Sequence, residues 1–160
     1  MEYGKVWKFG DDVNTDQILP SQYLLLPTID SMKQFAFETI DKSFARDVKK
    51  GDIIAAGRNF GCGSSREQAP RVLKELGISA IVAKSFARIF FRNAINIGLP
   101  VIICEEAYDN VEKGGRLGID ISAGIVEANS KTFQSTKLPE YMREILDHGG
   151  LIEFLNKECE

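Results

Sequence analysis

The residues best suited to chemistry lie in one stretch, Gly57-Arg58-Asn59-Phe60-Gly61-Cys62-Gly63-Ser64-Ser65-Arg66-Glu67-Gln68-Ala69-Pro70. Its glycines permit positive φ or leave room for a ligand against the backbone. Ser64 and Ser65 bring hydroxyls and Arg66 a guanidinium. Ser64 with Glu67, or Ser65 with Gln68, fits a capping box, so one serine is expected to start a helix. Pro70 has no N–H, so a short first turn or a kink is expected there. Unpaired N–H groups, two hydroxyls and one guanidinium at a helix N-terminus would suit an anion. Plain architecture also explains a glycine-rich junction with a serine cap, and for an arbitrary loop it is the commoner case.

Familiar chemistries do not fit the stretch. It contains no G-x-x-x-x-G-K-[ST], no G-x-G-x-x-G and no G-x-S-x-G elbow. Cys62-Gly63-Ser64 has the look of a cysteine-protease loop, but the single histidine, His148, lies in a glycine-flanked stretch near the other end. Pairing them would need an accident of folding.

Stepping outward, Asp52-Ile53-Ile54-Ala55-Ala56 reads as a buried strand entering the loop, and Arg71–Leu76 as a helix leaving it and stopping at Gly77. Tyr3–Phe9 alternates apolar and polar residues, a strand signal. Ser31–Asp47 is helical in pattern, with Met32, Phe35, Ile40 and Phe44 inward and a break near Asp41 allowed. Ile78–Ala83 and Pro100–Cys104 read as further strands, separated by a helix over Phe86–Ile95 with Ile89, Phe90 and Ala94 inward. Arg88 and Arg92 lie one turn apart and serve either a cleft or a solvated face. Strands alternating with helices indicate parallel pairing. From Gly114 the texture changes to a β-hairpin, Arg116–Ile121 with Ile125–Ala128, and a third antiparallel strand, Thr132–Thr136. Two closing helices, Pro139–Leu146 and Leu151–Asn156, flank Gly149-Gly150. The expected organisation is one domain over 1–160, with its hairpin-rich part at about 110–137 and closing helices within 139–157.

The chain has 160 residues, of which 44% are hydrophobic and 27% charged, with a net charge of −3. That supports an ordinary core and carries no nucleic-acid footprint. No apolar run is long enough to span a membrane, and no signal segment is visible. Cys62, Cys104 and Cys159 are widely spaced and odd in number, which favours a reducing cytoplasm and argues against a metal site on this chain alone. Ser21-Gln22-Tyr23-Leu24-Leu25-Leu26-Pro27-Thr28 is a hydrophobic stretch too short for a stable helix. Such a loop is either tucked into the core, the commoner case, or left open for a ligand or partner.

Asn59–Pro70 resembles the signature loop of the small subunit of 3-isopropylmalate dehydratase, the swivelling domain of the aconitase superfamily. Asn14-Thr15-Asp16-Gln17-Ile18-Leu19-Pro20 is similar to that family's Thr-Asp-x-Ile-x-Pro motif. Val82–Asn93 is similar to its Ser-Phe-x-x-Ile-Phe segment, and Asn96-Ile97-Gly98-Leu99-Pro100 follows in the family's order. The resemblance implies an α/β fold: a three-layer β/β/α swivelling domain of mixed parallel and antiparallel strands. It implies dehydration and rehydration of a 2-alkylmalate, with Ser64 as an alkoxide base. Ser65 would bind substrate carboxylate or brace Ser64, and Arg66 would clamp a carboxylate. The backbone of Gly61, Cys62, Gly63 and the two serines would hold the oxyanion. Asp16, an Asx-turn residue on local grounds, would belong to the cleft. The Tyr23-Leu24-Leu25-Leu26 loop would select the substrate's variable group, with Leu25 where homoaconitase-like members carry arginine. The resemblance assigns a 4Fe-4S cluster to a separate large subunit, in a heterodimer or heterotetramer, and none to this chain. It leaves open self-association of the isolated chain, a homoaconitase or dimethylmalate-type substrate, and a non-catalytic anion-binding module.

Overall fold

The computed structural model describes residues 1–159. Strand β1, Glu2–Lys8, buries Gly4, Val6 and Trp7 and exposes Glu2, Tyr3 and Lys5. A single helical turn follows, α1, Thr15–Ile18, where Asn14 and Gln17 close a reciprocal capping box. Then come a 3-10 turn, Ser21–Leu25, helix α2, Ile29–Met32, capped by Thr28, a second 3-10 turn, Lys33–Phe35, and α3, Phe44–Asp47. The helical stretch expected over Ser31–Asp47 is therefore broken into short turns. Its cause is aromatic packing. Phe37 takes a φ of 56°, stacks on Phe9 at 4.2 Å and meets Phe44 edge-on at 4.7 Å. Burying all three rings together outweighs the hydrogen bonds of a continuous helix. Ile40, expected inward, is half exposed.

The alternating half follows in the expected order. Strand β2 is Ile53–Ala56, helix α4 Gln68–Glu75, strand β3 Ala80–Ala83 and helix α5 Arg88–Asn96. Strand β4, Val101–Ile103, leads into the short helix α6, Glu105–Asp109. In α5, Phe90, Ala94 and Ile95 face the core. Ile89 is half exposed, because the apolar stripe starts one residue after the position expected for it. The remainder is strands β5, Arg116–Asp120, β6, Ile125–Ala128, and β7, Lys131–Gln134. Helices α7, Glu140–Asp147, and α8, Leu151–Glu158, close the chain.

The strands form one seven-stranded sheet in the order β4-β3-β2-β1-β5-β6-β7. β1 to β4 pair in parallel, with Val6 opposite Ile53, Ile53 opposite Ala80 and Ile81 opposite Val101. β1 also pairs antiparallel with β5, which leads to β6 and β7. The sheet curls so that its two halves face each other. Val6, Ile53, Val82 and Ile102 of the parallel half share one core with Leu117, Ile119 and Val126 of the antiparallel half. The opposite face of the parallel half, with Ile54, Ile81 and Val101, buries Val72 and Leu73 of α4, Phe90 of α5 and Ile145 of α7. This is the three-layer β/β/α arrangement. Each full burial of a Val, Leu, Ile or Phe contributes about 1.5–3 kcal/mol, so the two cores hold the C-terminal ends of β1–β4 as a firm platform. Among the described residues no helix is long and apolar enough to cross a membrane.

Candidate active site

The glycine-rich stretch leaves the end of β2 and is pinned on both sides. At Gly57 a Cβ would lie 2.0 Å from Asp11 Oδ1, and that same oxygen accepts the Arg58 N–H at 2.7 Å. Asn59 takes a φ of 58° and donates its N–H to Ser85 Oγ at 2.7 Å. Phe60 is fully buried and meets the Phe90 ring edge-on at 5.2 Å. Gly61 has a φ of 83°, and a Cβ there would lie 2.2 Å from Phe90 Cγ. Its N–H donates to Val13 O at 2.8 Å, and the Thr15 N–H donates to Cys62 O at 2.8 Å. The loop is thus fastened to α5 by packing and to α1 by backbone hydrogen bonds.

Ser64 stands where these ties converge. Its N–H donates to Thr15 Oγ1 at 3.1 Å, and its own Oγ lies 3.3 Å from that same atom. Arg66 Nε donates to Ser64 Oγ at 2.7 Å. Arg66 Nη1 donates to Leu19 O at 3.1 Å and lies 3.6 Å from Asp16 Oδ1. The Arg66 side chain is only 18% exposed, so its position is set by packing. Asp16 Oδ1 also accepts the Ser21 N–H at 3.0 Å. Asn93 Nδ2 of α5 donates to Ser65 O at 3.1 Å.

This geometry corrects the reading of the serines as helix caps. The N-cap of α4 is Glu67, and no side chain caps it. Ser64 lies upstream, and its oxygen is engaged by Arg66 and Thr15. Pro70 sits in the first turn, where an N–H has no intrahelical partner in any case, and the helix runs on to Glu75. Two of the five backbone amides expected to hold an oxyanion, those of Gly61 and Ser64, are already bonded within the loop's ties. The positive charge beside Ser64 is the Arg66 guanidinium. A charge-assisted donor this close favours the ionised form of a hydroxyl.

The other candidates fall into place by contrast. Burial, then the nearby Asp12 charge, pushes the Cys62 thiol up, so it is a poor nucleophile. His148 Nδ1 lies 2.7 Å from Glu144 O, and its ring packs on Phe154, which places it with α7 and α8. Among the described residues no three His, Cys, Asp or Glu side chains are grouped to hold a metal. Arg88 and Arg92 line a groove between α5, α7 and α8. In the Ser21–Leu25 turn and at Leu26 beside it, the side chains differ in burial. Tyr23 stacks on Phe35 at 3.8 Å, with planes 1° apart. Leu24 and Leu26 pack against the core, while Leu25 is 91% exposed. The sequence reading missed Thr15 and Asn93. Thr15 stood inside the Asn14–Pro20 string, but nothing local to it points to residue 64.

Comparison with known proteins bears on this arrangement. The model of the aconitase C-terminal domain matches residues 13–106, the span that contains Asp16, Leu25 and the whole Ser64 loop. The 3-isopropylmalate dehydratase small subunit of Methanosarcina mazei is 51% identical over 156 residues, 96% of each chain. The chain belongs to the 3-isopropylmalate dehydratase small-subunit family. A family member from Caldicellulosiruptor saccharolyticus is 49% identical, covering 98% of this chain and 92% of that one. The isopropylmalate/citramalate isomerase small subunit of Methanocaldococcus jannaschii is 48% identical over 97% of this chain and 94% of its own. A crystal structure of 3-isopropylmalate dehydratase from Methanocaldococcus jannaschii superposes with a TM-score of 0.93 at 44% identity, covering 98% of this chain and 94% of that one. In this small-subunit family chain, Gly63, Ser64 and Ser65 are exposed, so the loop is presented outward from the α/β body.

Proposed function

We propose that this chain is the small subunit of a 3-isopropylmalate dehydratase, a hydro-lyase of leucine biosynthesis that interconverts 2-isopropylmalate and 3-isopropylmalate by removing and re-adding water. The observation that carries the reading is Ser64 Oγ, exposed on the loop and held by Arg66 Nε at 2.7 Å. Abstraction of a proton beside a carboxylate needs a strong base, and a free serine hydroxyl is too weakly acidic to become one. The guanidinium supports the alkoxide. Ser64 Oγ takes the substrate proton, an O–H bond forms as the C–H bond breaks, and that electron pair enters the new carbon–carbon double bond as the hydroxyl departs. Ser65 and the outer edge of Arg66 face the substrate's carboxylates. Asp16 and the Leu19 carbonyl hold Arg66 for both tasks.

The described residues do not fit an iron–sulfur cluster, since Cys62, Cys104 and Cys159 are separate and no metal-holding group forms. In this reading the 4Fe-4S cluster of the aconitase type resides on a large subunit, and the two chains form a heterodimer or heterotetramer in the cytoplasm. Such a cluster supplies Lewis acidity toward the leaving hydroxyl.

Selectivity lies in Leu25. Its exposed side chain offers an aliphatic surface to the substrate's variable arm and no charge to a third carboxylate. The isopropyl arm has two more carbons than the methyl arm of citramalate. At about 0.8 kcal/mol per buried CH₂, isopropylmalate is favoured by roughly tenfold. The relative named as an isopropylmalate/citramalate isomerase makes citramalate the second substrate to try. The test is kcat/KM of the reconstituted complex on isopropylmalate, citramalate, dimethylmalate and a homoaconitate-type tricarboxylate. Isopropylmalate should lead. Leu25→Arg should lower its kcat/KM by about ten- to a hundredfold and raise that of the tricarboxylate, because arginine pairs with the extra carboxylate. An unchanged ratio in the variant removes Leu25 from substrate selection.

A further inference from the structure

The geometry points to Thr15 as the second hydrogen-bond donor to the Ser64 alkoxide, an inference that rests on Ser64 acting as the base. Thr15 Oγ1 already accepts the Ser64 N–H at 3.1 Å, and it lies 3.3 Å from Ser64 Oγ. While Ser64 keeps its proton, either hydroxyl can donate to the other. Once Ser64 has lost that proton its oxygen has nothing to donate, and only the Thr15 O–H can supply the hydrogen. Arg66 Nε provides the first donor, at 2.7 Å.

The local structure keeps the Thr15 hydroxyl in place. Thr15 is 2% exposed, one of the few buried polar side chains. Its branched Cβ restricts χ1. Its backbone N–H donates to Cys62 O at 2.8 Å, which ties α1 to the loop. A Cβ on Gly63 would lie 3.1 Å from Thr15 Oγ1, so a larger residue at 63 would press on this contact. Thr15 therefore joins the substrate-facing loop to the start of the chain through the reacting oxygen. A structural role alone, as a cap for α1, belongs to Asn14, whose side chain accepts the Gln17 N–H at 2.8 Å.

The test uses the assembled two-subunit enzyme with isopropylmalate. Thr15→Val removes the hydroxyl at nearly constant volume. It should lower kcat about ten- to a hundredfold with KM little changed, less than the loss of a sole oxyanion donor, because Arg66 still donates to Ser64 Oγ. The low-pH limb of the rate profile should move up by about one to two pH units, because a less stabilised alkoxide forms only at higher pH. Thr15→Ser, which keeps the hydroxyl, should restore most of the rate. Should the valine chain fail to fold, Thr15→Ala against Thr15→Ser makes the same comparison. Wild-type kcat in the hydroxyl-free variant, or an equal loss in the serine variant, overturns the inference. Ser64→Ala is measured alongside. If it retains turnover, the assignment of the base fails; if it is dead while Thr15→Val is normal, only the role of Thr15 fails.

Discussion

Ser64→Ala, in the enzyme assembled with its large subunit, should lower kcat on isopropylmalate by about 10²–10⁴-fold, the range for removal of a positioned base. The chain should remain folded. Ser64 is exposed and does not cap α4, so the loss is limited to its hydroxyl contacts with Arg66 and Thr15. Net hydrogen bonds of this kind contribute about 0.5–1.5 kcal/mol, well below the stability of an ordinary domain. The two readouts therefore separate: turnover collapses while the unfolding transition barely moves. A large stability loss with a proportionate fall in assembled enzyme would instead make Ser64 a structural residue.

Gly61→Ala should show the opposite pattern. The backbone there has a φ of 83°, and the new Cβ would lie 2.2 Å from Phe90 Cγ. A left-handed alanine costs about 1–2 kcal/mol. Displacing a ring that is only 3% exposed costs about 1–3 kcal/mol more by overpacking. Denaturant unfolding should register about 2–5 kcal/mol of destabilisation, the sum of those ranges. Gly10→Ala is the control: nothing lies within 4 Å of its Cβ position and its φ is not positive, so it should unfold like wild type. Equal stability of the two variants would contradict the packing described for Gly61 and Phe90.

The parts of the fold that rest on local periodicity were readable in advance. Buried runs such as Ile53–Ala56 and Ile81–Ala83 became parallel strands, and the alternation in Arg116–Asp120 became the first strand of the antiparallel half. What was not readable is tertiary. Ser64 and Glu67 stand at capping-box spacing, yet the Ser64 oxygen goes to Arg66 and to Thr15, forty-nine residues earlier in the chain. A long-range hydroxyl contact leaves no local pattern. The Ser31–Asp47 segment has helical spacing, yet Phe37 leaves the right-handed region to join Phe9 and Phe44. Helical spacing points Ile89, Phe90 and Ala94 inward together, yet Phe90 and Ala94 are buried, Phe90 edge-on to Phe60, while Ile89 is half exposed. The site residues came from the resemblance of whole strings. Their contacts came only from the structure, which adds Thr15 and Asn93 and turns Arg66 toward Ser64.

The most direct measurement titrates this chain into a fixed amount of cluster-loaded large subunit and follows isomerisation of isopropylmalate. On the proposed division of labour, with the base on this chain and the cluster on the other, neither chain alone should turn over. Activity should rise with added chain and saturate at a fixed ratio, and the Ser64→Ala chain should assemble equally well yet leave activity near zero. Turnover by either chain alone, or full activity with the Ser64→Ala chain, would contradict the division of labour proposed for the two subunits.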